Sequence, residues 1–261
     1  MPLKAVFFDL GDTLWHFPSM PPPETIRGET MRRITKLLNS WGYEMTNERR
    51  FIGRDIRYAI EEETSRAFHG DCVDPGYPGI CQRIAVRHEM NLSEAQGSEL
   101  WGTWNLGGAF LGRALYPDAL PTLNWLRDRG FRLAAVTNRG YSGPLFHEEV
   151  RDLGLTDLFE HTVISCDVGY MKPHPQIFQV ALELMDVEAD EVAMVGDSLR
   201  ADVEGAKTLG MTAIWRRPPP KGEPVEATTD EAEPGPLAPD YSIDNIGDIR
   251  GLGPFLASGG K

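Results

Sequence analysis

Short apolar segments that alternate with longer amphipathic ones constrain the fold of this 261-residue chain most strongly. Each apolar segment has four to seven residues and is often rich in β-branched side chains. The segments are Lys4–Leu10, Arg132–Thr137, His161–Ser165, Val192–Val195 and Met211–Ile214. Such alternation predicts an α/β fold in which a doubly wound parallel sheet carries helices on both faces. In folds of this kind, ligands bind beyond the carboxyl ends of the strands.

The middle of the chain interrupts this alternation with a helical pattern. Glu24–Ser40 carries apolar residues at near-helical spacing, which predicts one helix. Asn47–Phe68 predicts a second helix, with Asn47 as its N-cap. Ser93 and Gln96 form a capping-box pattern, so a further helix is expected to begin there.

Two breaks in composition bound this helical region. Residues 21–23 are three prolines, which do not continue regular structure, and residues 107–112 are rich in glycine. We therefore predict a small helical domain over residues 16–112. It is inserted into an α/β domain that comprises residues 1–15 and 113–261.

The second half of the α/β domain contains further predicted elements. Pro117–Arg129 has a proline near its first turn and leucines on one face, as is typical of a helix. Pro218–Pro239 is rich in Pro, Glu, Thr and Gly and predicts a mobile loop. Tyr241–Ile243 and Ile246–Phe255 predict a last strand and a short helix that return to the sheet.

Composition excludes several classes of partner. The 26 Lys and Arg residues against 39 Asp and Glu give a net charge of −13, which disfavours nucleic acid. The three cysteines form no CxxC pair, so neither a disulfide framework nor a zinc site is expected. The apolar run Ala5–Leu10 is far shorter than the ~20 residues that span a bilayer. We predict a cytoplasmic protein with no membrane partner, and its oligomeric state is left open.

Polar residues that could serve catalysis or binding lie near the ends of these segments or in the loops between them. They are Asp9, then Thr137 and Asn138, then Lys172, and finally Asp197 and Asp202. Each of them alone is an ordinary turn, cap or surface residue. Their order and their placement after strands indicate one site at the carboxyl edge of the sheet.

In order and spacing, these four segments resemble the signature motifs of the haloacid dehalogenase (HAD) superfamily. The most specific part is Met171-Lys172-Pro173 followed by Gly196-Asp197 and, after four more residues, Asp202. The resemblance covers residues 1–15 and 113–217. It implies a hydrolase with a Rossmann-like core, and it implies that the helical insertion is a type 1 cap, which closes over the site and selects the substrate.

The resemblance also implies a role for each matching residue. Asp9 matches the nucleophile, whose carboxylate attacks phosphorus and forms an aspartyl-phosphate that water then cleaves. Asp9, Asp197 and the main-chain carbonyl of Gly11 match the ligands of Mg²⁺, an ion that prefers hard oxygen donors. The expected substrate is a small phosphate ester.

Three further positions match groups that serve the phosphate. Lys172 matches the cation that lies against both nucleophile and phosphate. Thr137 and the backbone N–H of Asn138 match hydrogen-bond donors to phosphate oxygens. Asp202 matches the acid that orients Lys172 or metal-bound water.

Residue 11 departs from the phosphatase pattern, in which a second Asp stands two residues after the nucleophile. That Asp protonates the leaving group and later activates water. This chain has Gly11 there, and the next acid is Asp12. Consecutive residues of an extended segment point in different directions, so Asp12 is not an obvious substitute, although it is the nearest candidate.

This departure keeps three hypotheses open. The first is a phosphatase in which Asp12, a cap residue or water supplies the acid–base step, or one that favours good leaving groups. The second is a relative with other chemistry, either a dehalogenase or a phosphonate hydrolase with Lys36 as its Schiff base. The third is a weakly active protein that binds a phosphorylated ligand. Outside the motifs, Arg216 and Arg217 are expected to form a solvated edge.

Overall fold

The computed structural model describes residues 2–218 and 238–256. Most of the predicted loop at 218–239 therefore lies outside the described residues. The chain forms two compact units, one of residues 1–16 and 114–261 and the other of residues 17–113. Their boundaries lie one residue from those expected for core and cap, and the roles of the two units stay predictions.

The strands all belong to the first unit. They are β1 (Ala5–Phe8), β2 (Trp15–His16), β3 (Ala114–Leu115), β4 (Arg132–Thr137), β5 (His161–Ile164), β6 (Val192–Gly196), β7 (Thr212–Arg216) and β8 (Tyr241–Ile243). Six of them form a parallel sheet in the order β5-β4-β1-β6-β7-β8, whereas β2 and β3 pair antiparallel. The predicted α/β class and parallel sheet are confirmed, and the predicted strand ends agree within one or two residues.

Ten α-helices lie in the described residues. They are α1 (Pro23–Ser40), α2 (Ile52–His69), α3 (Tyr77–Arg87), α4 (Glu94–Trp104), α5 (Ala119–Asp128), α6 (Gly143–Asp152), α7 (Ser165–Val168), α8 (Pro175–Met185), α9 (Gly205–Thr208) and α10 (Gly253–Leu256). The predicted helix at 117–129 is α5, and the predicted terminal helix is a 3-10 turn, Ile246–Gly251, followed by α10. No helix in the described part of the chain is long and apolar enough to cross a membrane.

Two hydrophobic cores cover the two faces of the sheet. Because successive strand residues point to opposite faces, Val6 and Phe8 of β1 pack in one core, together with side chains of α5, α6 and α10. Ala5 and Phe7 pack in the other, together with side chains of α8 and α9. These helices on both faces make the sheet doubly wound, as predicted.

The strand order determines where a ligand can bind. From β1 the chain first forms β4 and β5, which lie along one edge of β1, and it then crosses over to form β6 along the opposite edge of β1. This reversal places a crevice at the carboxyl ends of β1, β4 and β6, which is the usual binding place in open α/β sheets.

The second unit contains α1 to α4. Ser93 caps α4 as predicted: its hydroxyl accepts the N–H of Gln96 at 3.3 Å, and the Gln96 side chain accepts the N–H of Ser93 at 3.0 Å. The prediction of Asn47 as the N-cap of the helix that the structure shows as α2 is wrong. The hydroxyl of Thr46 instead accepts the N–H of Arg49 at 3.2 Å, and a 3-10 turn precedes α2.

Candidate active site

Lys172 joins two of the predicted carboxylates at the carboxyl edge of the sheet. Its ammonium group donates to Asp9 Oδ1 at 2.7 Å and to Asp202 Oδ1 at 2.6 Å. All three side chains are buried. Burial lowers the pKa of Lys172, but the negative charges of Asp202 and Asp9 outweigh it and raise that pKa to about 12. Lys172 is therefore a cation at neutral pH, held against Asp9.

Asp202 sits in a space that only glycine at residue 196 leaves open. A Cβ on Gly196, the last residue of β6, would overlap the Asp202 carboxyl group. The second oxygen of that group, Oδ2, accepts the N–H of Ser198 at 3.0 Å. Both Asp202 oxygens thus have donors, which fits the predicted role of holding Lys172.

Two contacts set the position of Asp197. The hydroxyl of Thr13 donates to Asp197 Oδ1 at 3.2 Å, and the indole N–H of Trp215 donates to the Asp197 main-chain carbonyl at 2.8 Å. Neither residue was predicted as part of the site. Thr13 lies four residues after Asp9 in the sequence, where it could have been found, whereas the role of Trp215 depends on the pairing of β6 with β7.

Asp9, Asp197 and Asp202 form a cluster of carboxylates. One oxygen from each lies within 4.8 Å of the others. Burial, and then the charges of Asp9, Asp202 and Asp12, raise the pKa of Asp197 to about 8. Burial, opposed by Lys172 and reinforced by Asp9, raises that of Asp202 to about 6. Three carboxylates against one ammonium leave an excess of negative charge, and their oxygen donors fit a hard divalent cation such as Mg²⁺.

The side chain of Asn138 holds the backbone of Lys172. Asn138 Oδ1 accepts the Lys172 N–H at 2.7 Å, and Asn138 Nδ2 donates to the Lys172 carbonyl at 3.0 Å. Thr137, the last residue of β4, is buried and lines the same cavity. The predicted role of Asn138 is to donate its backbone N–H to a phosphate oxygen. The contacts with Lys172 use only the Asn138 side chain, so they are compatible with that role.

Arg139 is a cavity-lining residue that was not predicted. Its guanidinium group donates to Glu149 Oε2 at 2.8 Å and also contacts the Tyr141 hydroxyl. The Ser165 hydroxyl accepts the Arg139 N–H at 3.0 Å and donates to the Arg139 carbonyl at 3.1 Å. These contacts fix the loop that follows β4.

The prediction that Arg216 lies on a solvated edge is wrong. Arg216 is only 4% exposed, and its guanidinium group donates to the main-chain carbonyl of Asp12 at 2.6 Å. The guanidinium carbon also lies 3.8 Å from the centre of the Tyr116 ring. The expectation failed because β8 pairs outside β7, which makes β7 an interior strand. Arg217 is exposed and pairs with Asp244.

The predicted residues come together around one cavity of about 250 Å³. Its lining contains every predicted site residue: Asp9, Gly11, Asp12, Thr137, Asn138, Lys172, Asp197 and Asp202. Arg139, Ser198 and Ala201 complete it. A cavity of about 350 Å³ between α2 and α3 contains none of the predicted residues.

Comparisons with known proteins identify a family and several relatives. A family model described as haloacid dehalogenase-like hydrolase matches residues 3–210. The chain is 29% identical to a glyceraldehyde 3-phosphate phosphatase from Methanopyrus kandleri over 242 residues, 93% of each chain. It is 30% identical to a ribulose-1,5-bisphosphate 5-phosphatase from Halopiger xanaduensis over 260 residues, 95% of this chain and 98% of that one.

A solved structure is similar over nearly the whole length. It is a HAD phosphatase from Thermococcus onnurineus, with a TM-score of 0.56 and 27% sequence identity. The match covers 95% of this chain and 97% of that one.

Proposed function

The chain belongs to the haloacid dehalogenase-like hydrolases, and we propose that it is a magnesium-dependent phosphatase of small phosphate esters with Asp9 as nucleophile. The contact of Lys172 with Asp9 is the observation that supports this proposal most directly. A carboxylate can attack a phosphate only if nearby positive charge offsets the repulsion between the two anions. Lys172 supplies such a charge at 2.7 Å from Asp9.

The proposed reaction has two displacements. An oxygen of Asp9 attacks phosphorus, the bond to the leaving oxygen breaks, and that oxygen takes a proton. Water then attacks the phosphorus of the aspartyl-phosphate, the bond to Asp9 breaks, and orthophosphate leaves. Lys172 offsets negative charge in both steps, while Thr137 and the backbone N–H of Asn138 donate to phosphate oxygens.

The proposed ligands of Mg²⁺ are Asp9, Asp197 and the main-chain carbonyl of Gly11. A bound Mg²⁺ supplies charge that polarises the phosphate. The excess of carboxylates and the raised pKa of Asp197 support a cation here. Asp202 is not assigned as a ligand, because Lys172 and Ser198 already engage its two oxygens.

The comparisons support the substrate class rather than one substrate. Two relatives of nearly equal identity are named for different compounds, glyceraldehyde 3-phosphate and ribulose 1,5-bisphosphate. Both compounds are small phosphate esters. We therefore propose a small phosphorylated metabolite as the substrate and assign no individual compound.

Hydrolysis assays test this function. A panel of phosphate monoesters, 2-haloacids and phosphonates is assayed with Mg²⁺ and with a chelator. We expect turnover of phosphate monoesters only, and only with the metal. Asp9→Asn should abolish turnover without unfolding the protein, whereas Asp152→Asn, the same change at an exposed position on α6, should leave the rates unchanged.

Each alternative has its own outcome in this panel. Metal-independent turnover of 2-haloacids would indicate a dehalogenase. Cleavage of phosphonates, with borohydride trapping of substrate on Lys36, would indicate a phosphonate hydrolase, although Lys36 is exposed on α1. Binding of a phosphate ester without turnover would indicate a binding protein. Any of the three contradicts the proposal.

A further inference from the structure

The turn after Asp9 has an uncommon backbone conformation. Asp12 has a φ of 49°, in the left-handed region, which residues other than glycine adopt uncommonly, Asp and Asn more often than the rest. The N–H of Thr13 donates back to the Gly11 carbonyl at 2.6 Å and tightens the turn. A conformation of this kind persists where surrounding contacts hold it.

Arg216 makes a side-chain contact with the backbone of this turn. Its guanidinium group donates to the Asp12 carbonyl at 2.6 Å and lies over the ring of Tyr116. The Tyr116 ring is itself held in place, since it stacks on the ring of His16 with centroids 4.2 Å apart. The N–H of Tyr116 also donates to the Leu14 carbonyl at 3.0 Å. A buried arginine is thus fixed against the backbone of Asp12.

We propose that Arg216 is a positioning residue that holds the Gly11–Asp12 turn so that the Asp12 carboxyl group faces the leaving group. The proposal rests on the proposed phosphatase function. Asp12 is exposed and lines the cavity beside Asp9. It is the acid nearest in sequence to Gly11, which stands where the phosphatase pattern has an acid–base Asp. Arg216 lies 204 residues further along the chain and acts through Asp12 without facing the cavity itself.

With Asp12 beside the leaving group, each proton that is transferred in the two steps has a donor and an acceptor. Its carboxylic acid gives a proton to the leaving oxygen as the phosphorus–oxygen bond breaks. The resulting carboxylate takes a proton from the water that attacks the aspartyl-phosphate, which restores the acid. Such assistance contributes ~10²–10⁴-fold for an alkoxide leaving group and little for a leaving group that is already a stable anion.

The ratio of rates on an alkyl and an aryl phosphate measures this contribution. We compare kcat on glycerol 3-phosphate and on 4-nitrophenyl phosphate, with Mg²⁺, in the full-length protein. Asp12→Asn should lower the alkyl-to-aryl ratio by about 10²-fold or more. Arg216→Met should lower it by about 10- to 100-fold, because a misplaced group loses most of its effect. Arg216→Lys, which retains a donor, should recover part of the ratio.

Two comparisons separate positioning from a structural role. In the double variant of Asp12→Asn and Arg216→Met, the ratio should be no lower than in Asp12→Asn alone. Arg217→Met, the same change one residue away at an exposed ion pair, should leave the ratio unchanged. If Arg216→Met does not fold, Arg216→Lys and Tyr116→Leu provide the same measurement.

Other results would overturn the proposal. Equal loss on both substrates in Arg216→Met, or losses that multiply in the double variant, would show that Arg216 does not act through Asp12. An unchanged ratio in Asp12→Asn would remove the role of Asp12, while turnover that depends on Asp9 would still support the phosphatase. Absence of phosphatase activity in the unmodified protein would instead contradict the proposed function.

Discussion

Removal of divalent cations should destabilise this protein more at pH 8 than at pH 5. Without a bound cation, burial and the charges of Asp9, Asp202 and Asp12 raise the pKa of Asp197 from 3.8 to about 8. Burial raises that of Asp202 to about 6, although Lys172 opposes the change. Both carboxyl groups therefore bind protons more tightly in the folded chain than in the unfolded one.

This difference determines the sign of the pH dependence. Between about pH 4 and pH 8, the folded protein retains protons that the unfolded chain has released, so the free energy of unfolding falls as pH rises. For Asp197 the change from 3.8 to about 8 corresponds to on the order of 5 kcal/mol. Since Asp202 belongs to the same charge cluster, we expect a total of that order rather than a sum over both residues.

Urea unfolding at pH 5, 6, 7 and 8, with a chelator and with saturating Mg²⁺, measures the effect. Mg²⁺ should flatten the pH dependence, because the cation replaces the protons and stabilises the folded state in proportion to RT ln(1 + [Mg²⁺]/Kd). Asp197→Asn should flatten the curve in chelator, and its difference from the unmodified protein cancels the titration of groups outside the carboxylate cluster. Parallel curves for the two proteins in chelator would refute the reasoning.

Three further substitutions have defined outcomes. Lys172→Met should abolish turnover and, in chelator, destabilise the fold by about 3–5 kcal/mol; in urea unfolding, adding Asp202→Asn should recover part of that loss, and no recovery would contradict the ion pair. Asn138→Ala should lower kcat by about 10- to 100-fold by loosening Lys172, whereas an unchanged kcat would show that its two backbone contacts are dispensable. Ser93→Ala should cost about 1 kcal/mol in urea unfolding with no change in kcat, and a stability equal to the unmodified protein would contradict the capping box.

The fold was predictable because its signals are local. Buried parallel strands are short apolar runs, and β4 and β8 have the bounds that their runs predict. Helix starts were less certain, because two neighbouring residues of capping type compete at the second helix. Thr46 and Asn47 both have side chains that can cap a helix. In the structure the Thr46 hydroxyl accepts the N–H of Arg49, and the sequence alone does not distinguish the two residues.

The candidate site was predictable only in part. Asp9 and Lys172 are 163 residues apart and meet because parallel strands place their carboxyl ends at one edge. Arg216 and Trp215 were missed, since their contacts with Asp12 and Asp197 depend on strand order and leave no local pattern. Asn138 was identified for its backbone, whereas its side chain has the more specific contact, with Lys172.

Chemical trapping tests the central claim, nucleophilic attack by Asp9, most directly. The protein is quenched during turnover of a phosphate ester with Mg²⁺, reduced with borohydride and mapped by peptide mass spectrometry. An aspartyl-phosphate at Asp9 predicts that this residue, and no other carboxylate of the cavity, is recovered as homoserine. Turnover with Asp9 unmodified and the phosphoryl group on another residue would contradict the account.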